Sequence, residues 1–313
     1  MNNIAARSDD GYKQAIYAIQ HLVKQYPGQT QSANDDITLH IHQGEIFGIL
    51  GDNGAGKSTL VKQMVNLLRP TSGEIMLLGQ PLTYNPMHVP MQVGYMPQDS
   101  AALNHLTVGE ALYFTAHLRG MNRPDARQER DRQLAFWQIE ALRNLPSSHL
   151  SGGQRRLMRL AVATTALPPI LMLDEPTNDL DPQRRKLVWD NLREINRTHN
   201  TTIIFITHDA IEAEKVIQRV GIMREGKLVV NGRPSDLKKQ VDQKLRLELL
   251  FSPEIPPQLP EHLPRHEIQA GHWLALLEWD EVTAVLNALD LTHIDDFRLY
   301  SATLEDLYLH YAT

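Results

Sequence analysis

The sequence predicts an α/β fold in which a mostly parallel sheet is wrapped by helices. Three short apolar runs, at residues 46–50, 170–173 and 203–206, have the length and composition of buried strands. Helical segments follow them, and strands that alternate with helices are typical of a parallel sheet. A glycine-rich turn at residues 51–56 joins the first of these strands to the next helix. In open sheets of this kind, ligands bind at the carboxyl ends of the strands.

The composition is that of an ordinary globular protein, without the basic bias of a nucleic-acid binder. The 313 residues are 42% hydrophobic and 22% charged, with a net charge of −6. The sequence contains no cysteine, which excludes disulfides and thiolate metal sites. Residues 1–14 lack the apolar core of a signal peptide, and no apolar run approaches the ~20 residues that cross a bilayer. If the protein works at a membrane, we expect another polypeptide to supply the channel.

Further regions are predicted around the parallel sheet. Residues 16–23 and 37–42 read as strands that pair antiparallel before the glycine turn. A charge-rich stretch with helical patterning predicts a helical insertion at about residues 100–150. Towards the end of the chain, short strands and helices surround a proline-rich stretch. The predicted organisation is therefore a larger α/β domain over residues 14–235 and a small accessory α+β domain over residues 236–313.

The glycine turn has the spacing G-x-x-x-x-G-K-S of a phosphate-binding loop, and it lies between a strand and a helix as that loop requires. Glycines let backbone N–H groups face inward around an anion, and the helix that starts near Lys57 adds the positive end of its dipole. Lys57 is placed to reach β- and γ-phosphates, and the Ser58 hydroxyl to ligate Mg²⁺. The predicted phosphate site comprises Gly51, Asn53, Gly54, Ala55, Gly56, Lys57, Ser58 and Thr59.

Two carboxylates follow the apolar run that ends at residue 173. Asp174 is delivered to the carboxyl end of a buried strand, where it is placed to hold Mg²⁺ directly or through water. Glu175 adds a second carboxylate one residue later, suited to activating the attacking water. With a phosphate loop upstream in the same chain, this pair predicts hydrolysis of a nucleoside triphosphate.

A second anion site is predicted where Leu150 is followed by Ser151, Gly152, Gly153 and Gln154. A hydroxyl and two glycines at a helix start present backbone N–H groups to an anion. The chain already contains a phosphate loop, so the second site raises the question of which anion it serves.

This run resembles the signature motif of the ATP-binding cassette (ABC) family, and the resemblance covers about residues 14–235. The other family elements occur in order: Gln98 as the Q-loop, Asp181 in the D-loop and His208 as the switch histidine. Tyr26 matches the aromatic residue that stacks on adenine. The resemblance implies a P-loop NTPase core that binds ATP with Mg²⁺ and hydrolyses it.

The resemblance also implies a head-to-tail homodimer. Each ATP would lie between the phosphate loop of one subunit and the run from Ser151 to Gln154 of the other. Asp181 would line the same composite site, and His208 would contact the γ-phosphate. Gln98 would be both a catalytic residue and a metal ligand, and it would couple the site to a membrane partner docked against the helical insertion.

Residues 303–309 resemble the closing segment of cassettes from drug and polysaccharide exporters. The resemblance therefore implies the ATPase subunit of an exporter, working at the cytoplasmic face of the membrane with a separate transmembrane permease chain. The alternative is a soluble ABC ATPase that acts on ribosomes or nucleic acid. The single cassette and the lack of a coiled-coil interruption disfavour that alternative, and the signature motif disfavours a small-molecule kinase.

Overall fold

A computed structural model of the chain describes residues 15–98, 102–241, 244–260 and 262–312. The chain divides into two compact units, which meet along the sequence between Asn231 and Gly232. The predicted start at residue 14 and residues 99–101 of the predicted insertion lie outside the described residues. The roles of the two predicted domains, and their limits, stay predictions.

The first unit contains two sheets. Their strands are β1 Ala15–Lys24, β2 Asn34–His42, β3 Ile46–Gly51, β4 Ser72–Leu77, β5 Gln80–Pro81, β6 Val93–Met96, β7 Ile170–Asp174, β8 Thr202–Thr207, β9 Arg219–Arg224 and β10 Lys227–Gly232. The larger sheet has the order β10-β9-β3-β8-β7-β6, and the strands from β9 to β6 run parallel. All residues of β3, β7 and β8 are buried, which explains why these strands are unbroken apolar runs. The predicted parallel sheet is confirmed.

The smaller sheet has the order β2-β1-β4-β5 and is antiparallel throughout. Ile19 of the central strand β1 lies opposite Leu39 of β2 and Ile75 of β4. These side chains share one core with Phe47 of β3 and Leu60 of the helix after the glycine turn. The predicted antiparallel N-terminal strands are confirmed, and their packing supports the phosphate loop from one side.

Helices cover the parallel sheet and form the insertion. They are α1 Lys57–Met64, α2 His88–Gln92, α3 Val108–Leu118, α4 Arg123–Phe136, α5 Gly152–Thr164, α6 Pro182–His199 and α7 Ala210–Glu214. Trp137, just after α4, is fully buried and donates a hydrogen bond from Nε1 to Thr164 Oγ1 at 3.0 Å. Arg119, just after α3, donates from Nη1 to the carbonyl oxygen of Ala163 at 3.3 Å. The insertion is therefore fixed to the C-terminal end of α5.

The second unit has a separate core. Its elements are α8 Pro234–Val241, β11 Leu245–Phe251, β12 Arg265–Gln269, β13 His272–Leu277, α9 Val282–Ala288, β14 Ile294–Ser301 and α10 Leu304–Ala312. The sheet order is β12-β13-β11-β14, with antiparallel pairing. Buried and partly buried residues alternate along β11, whereas every residue of the edge strand β12 is exposed, so β12 lacks the alternation by which a strand is recognised in a sequence. Among the helices that the structure describes, none is long and apolar enough to cross a membrane.

Candidate functional site

A polar cavity of about 180 Å³ opens at the carboxyl ends of β3, β7 and β8. One wall is the glycine turn and the start of α1, with Asn53, Gly54, Gly56, Lys57, Ser58 and Thr59. Gln98, Asp174 and Glu175 form the other wall. The strand order explains why the two walls face each other, because the carboxyl ends of neighbouring parallel strands lie along one edge of the sheet.

Lys57 is the cation of this cavity, and its ammonium group lies folded over the loop. Its Nζ donates hydrogen bonds to the carbonyl oxygens of Gly51 at 2.6 Å and Asp52 at 2.9 Å. The residue is only 6% exposed, and burial lowers the pKa of its ammonium, while the charges of Glu175 and Asp174 oppose that shift. Lys57 therefore places a desolvated positive charge between the loop and two carboxylates.

The loop is held from outside by a buried amide that the sequence reasoning missed. Asn34, at the start of β2, donates from Nδ2 to the carbonyl oxygen of Gly56 at 3.1 Å. Its Oδ1 accepts a hydrogen bond from Gln63 Nε2 at 2.6 Å. Gly226, between β9 and β10, donates its N–H to the carbonyl oxygen of Ala55 at 3.1 Å. A lone asparagine at a strand start carries no sequence signal that would reveal this role.

Glu175 is fixed by two side chains from distant segments and by one from its own loop. His208 Nδ1 lies 2.8 Å from Glu175 Oε1, and Gln98 Nε2 donates to Oε2 at 3.2 Å. Asn178 Nδ2 also donates to Oε2. Glu175 has a φ of 51°, in the left-handed region that residues with a side chain seldom adopt. The contacts at both carboxylate oxygens aim this group at the edge of the cavity.

Asp174 is the last residue of β7 and is buried beside Glu175. Burial raises the pKa of the Asp174 carboxyl to about 6; the charge of Glu175 adds to the shift, and Lys57 opposes it. Two adjacent carboxylates that face one cavity repel each other, and a cation between them and an anionic ligand relieves that repulsion. This donor set suits a hard cation.

Gln98 is positioned through its backbone as well as its side chain. Arg159 of α5 donates from Nη1 to the carbonyl oxygen of Gln98 at 2.6 Å. The same helix begins at Gly152, because the Ser151 side chain caps it by accepting from the N–H of Gln154. The Gln154 side chain accepts from the N–H of Ser151 in return, which completes a capping box.

The structure brings together most of the predicted site residues, but not all. His208 contacts Glu175 at the edge of the cavity, and Gly51 and Ala55 of the loop do not line it. The predicted residues that line the cavity are Asn53, Gly54, Gly56, Lys57, Ser58, Thr59, Gln98, Asp174 and Glu175. Ser151 and its neighbours Gly152, Gly153 and Gln154 lie outside the cavity lining, and Ser151 and Gly152 are exposed.

The remaining predicted residues also lie outside the cavity lining. Asp181 caps α6 by accepting from the N–H of Arg184 at 2.9 Å, and it is exposed. The Tyr26 hydroxyl lies 3.4 Å from Thr59 Oγ1, at the end of the loop. Lys24 Nζ lies 5.4 Å from the centroid of the Tyr26 ring.

Comparison with known proteins gives the family. Residues 34–178 match the family model described as ABC transporter. Nod factor export ATP-binding protein I of Rhizobium etli is 33% identical over 248 residues, which cover 79% of this chain and 77% of that protein. The structure of cbiO1 from Clostridium perfringens, part of the ABC transporter complex cbiONQ, is 30% identical with a TM-score of 0.64; the match covers 72% of this chain and 91% of cbiO1.

A much longer relative matches as well. Phospholipid-transporting ATPase ABCA3 of Homo sapiens is 32% identical over 252 residues, which cover 80% of this chain but 15% of that protein. The chain thus spans about 15% of the length of the mammalian relatives that it matches. The fold and the cavity define an ATPase of the phosphate-loop class. Within that class, the chain belongs to the ATP-binding cassette family of transporter ATPases, whose members bind and hydrolyse ATP.

The tight contact at Gly56 predicts unequal effects of two alanine substitutions in the loop. Gly54 and Gly56 have similar φ values of 88° and 97°, so alanine costs each position about 1–2 kcal/mol of backbone strain. A Cβ at Gly56 would lie 2.2 Å from the carbonyl oxygen of Ala33, whereas a Cβ at Gly54 meets nothing within 4 Å. We expect Gly56→Ala to lower the free energy of unfolding by about 1–3 kcal/mol more than Gly54→Ala. Urea unfolding without nucleotide measures both; equal losses would contradict the contact.

Proposed function

We propose that this chain is the ATPase subunit of an exporter and drives a separate transmembrane permease from the cytoplasmic face of the membrane. The observation that carries the catalytic part is the Glu175 carboxylate, held beside the phosphate loop by Gln98, Asn178 and His208. The Nod factor relatives are named as export proteins, which supports export as the direction of transport. The transport names of the relatives favour this proposal over an ATPase that acts on ribosomes or nucleic acid.

ATP would bind with its phosphates at the glycine loop. Lys57 would meet the β- and γ-phosphates, and the N–H groups of the loop would face the same oxygens. Tyr26, beside Thr59, would stack on the adenine. Ser58, Asp174 and Gln98 all line the cavity and offer the oxygen ligands that Mg²⁺ prefers, so these three would hold it. When bound, Mg²⁺ neutralises charge on the phosphate oxygens.

Glu175 would accept the proton of the attacking water. The donors on Oε1 and Oε2 restrict the carboxylate to one orientation, and a fixed base contributes more than a mobile one because its reorganisation cost is already met. His208 would orient Glu175 and contact the γ-phosphate. Gln98 would report the state of the cavity to the membrane partner, since Arg159 joins its backbone to α5.

The signature segment supports a dimer with shared sites. Ser151 is exposed and outside the cavity of its own chain, yet it caps α5 with the geometry of an anion site. An exposed anion site of this kind would bind the ATP held by a second copy of the chain. Asp181, also exposed at a helix start, would line the same composite site. ATP would then close the homodimer head to tail, and hydrolysis would release it.

Glu175→Gln is expected to lower ATP turnover by about 10²–10⁴-fold, because the amide cannot take the proton of water. ATP affinity should stay close to that of the parent, since Lys57, Ser58 and Asp174 are unchanged. The matched control is Glu225→Gln, because Glu225 also has a positive φ (48°) but lies exposed in the β9–β10 turn. Turnover and equilibrium nucleotide binding are measured for both. Near-normal turnover of Glu175→Gln would remove Glu175 from its proposed role.

Ser151→Arg is expected to abolish turnover while leaving nucleotide binding by one chain intact. Lys57→Ala should instead lose binding. Mixing the two inactive proteins creates heterodimers in which one composite site has an intact Lys57 and an intact Ser151. We therefore expect turnover of the mixture to exceed that of either variant alone, with Ser235→Arg, at an exposed serine, as the control. A mixture as inactive as its components would count against the shared site.

Capture from detergent-solubilised membranes tests the permease partner. The insertion helix α3 exposes Phe114 (44%) and Leu118 (79%), one turn apart on one face. We expect the tagged chain to retain a transmembrane protein, and Leu118→Ser to weaken that retention without changing ATP turnover. Leu291→Ser, at a 52% exposed leucine of the second unit, is the matched control. Retention of ribosomes or DNA instead of a membrane protein would favour the soluble alternative.

A further inference from the structure

A second cavity, of about 300 Å³, lies between α6 and the segment formed by α7 and the two residues after it. Lys186, Trp189 and Arg193 line it from α6 at spacings of three and four residues, so they share one face of that helix. Lys215 lines it from the opposite side. The volume is at the lower end of the range for small-molecule sites, which limits an occupant to roughly the size of a fused-ring compound.

The side chains around this cavity carry more positive than negative charge. Arg193 pairs with Asp190, and Arg185 pairs with Glu212 at 3.2 Å. Within the described part of the chain, Lys186 and Lys215 have neither a carboxylate nor a hydrogen-bond acceptor within reach. Arg185 Nε is buried and also lacks an acceptor among the described residues. Clustered cations without counter-charges attract an anion.

Apart from the Arg185–Glu212 ion pair, the rest of the wall is apolar. Trp189 is 6% exposed, and its Nε1 donates to Glu212 Oε2 at 3.2 Å, which fixes the ring plane. Val216 and Pro182 complete the apolar surface. An indole held flat beside uncompensated cations fits a ligand with an aromatic or apolar body and one acidic group.

We propose that this cavity binds a small organic anion. Its acidic group, a carboxylate, sulfate or phosphate, meets Lys186 and Lys215, and its flat apolar body lies against Trp189. The site is separate from the phosphate loop, and no residue of the ATP cavity lines it.

The occupant of this site also acts on the ATPase. Arg185 donates from Nη2 to the carbonyl oxygen of Leu180 at 3.1 Å and from Nη1 to Glu212, so it joins the start of α6 to α7. The Glu212 N–H donates in turn to Asp209, the neighbour of His208. Arg185 lines the same cavity, so the anion held by Lys186 and Lys215 competes with Glu212 for its guanidinium and shifts the two segments that carry Asp181 and His208.

Naphthalene-2-sulfonate is the probe, titrated into the full chain. The readout is the indole N–H signal of Trp189 in a ¹⁵N–¹H spectrum, assigned with Trp189→Phe. We expect this signal to shift with the probe, whereas sulfate alone and the neutral 2-naphthylmethanol bind about tenfold more weakly or worse. Equal affinity for the neutral compound, or an unmoved Trp189 signal, would overturn the proposal.

The lysine variants locate the anion. Lys186→Ala combined with Lys215→Ala should raise the dissociation constant of the probe about tenfold, and Lys239→Ala, at an exposed lysine elsewhere, should not change it. Lys57→Ala should bind the probe normally, which separates this cavity from the phosphate loop. Unchanged affinity in the double lysine variant would overturn the proposal.

Coupling between this cavity and the ATP site is tested by measuring how each ligand changes the affinity of the other. A non-hydrolysable ATP analogue should change the affinity of the probe by about fivefold or more, and the probe should change the affinity of the analogue by the same factor. The effect of the analogue should vanish in Lys57→Ala. Binding of the analogue is measured directly in the same samples, so a failure of the proposed nucleotide site is distinguished from a failure of coupling. Equal probe affinity with and without bound analogue would overturn the coupling.

Discussion

The first unit depends on the contacts that hold the glycine turn at residues 51–56 in place. Between β3 and α1, the chain must present its N–H groups to one side, and glycines that permit this turn cannot stabilise it by their own packing. Neighbouring segments supply the support: Asn34 at the start of β2, Gly226 in the β9–β10 turn and the Lys57 ammonium inside the loop. The antiparallel sheet and the hairpin are therefore parts of the phosphate site as well as of the core.

The sequence predicts the parts of the structure that local patterns encode. The parallel strands are recognisable because burial on both faces makes them continuous apolar runs, and the loop because its glycines and Lys57 have a fixed spacing. The contribution of Asn34 is not predictable, because it depends on β2 lying beside the loop in three dimensions. Strand β12 is likewise hidden, because an edge strand with every residue exposed lacks alternation. The features that the sequence does not predict are those that depend on long-range pairing or on exposure, rather than on local propensity.

The predicted site divides along a similar line. Strand order brings Asp174, Glu175 and His208 to one edge of the sheet, so spacing and topology together predict their meeting. The contacts of Glu175 with Gln98 and His208 could not be read from the sequence, since these two residues come from segments far apart in the chain. The signature segment is a different case: its cap is a local pattern, but the role proposed for it involves a second molecule. A single chain shows that Ser151 is exposed, and the proposed ligand would come from a partner in an assembly.

The left-handed backbone of Glu175 has an evolutionary consequence. At this position one residue has to satisfy the chemistry of a carboxylate and also tolerate a φ of 51°, a conformation that β-branched side chains resist most strongly. Most single-nucleotide changes would therefore lose the carboxylate, strain the turn, or do both. Variation is instead expected among the residues that surround the carboxylate, where a different donor can take over without disturbing the backbone. The position can thus remain fixed through long divergence while its neighbours drift.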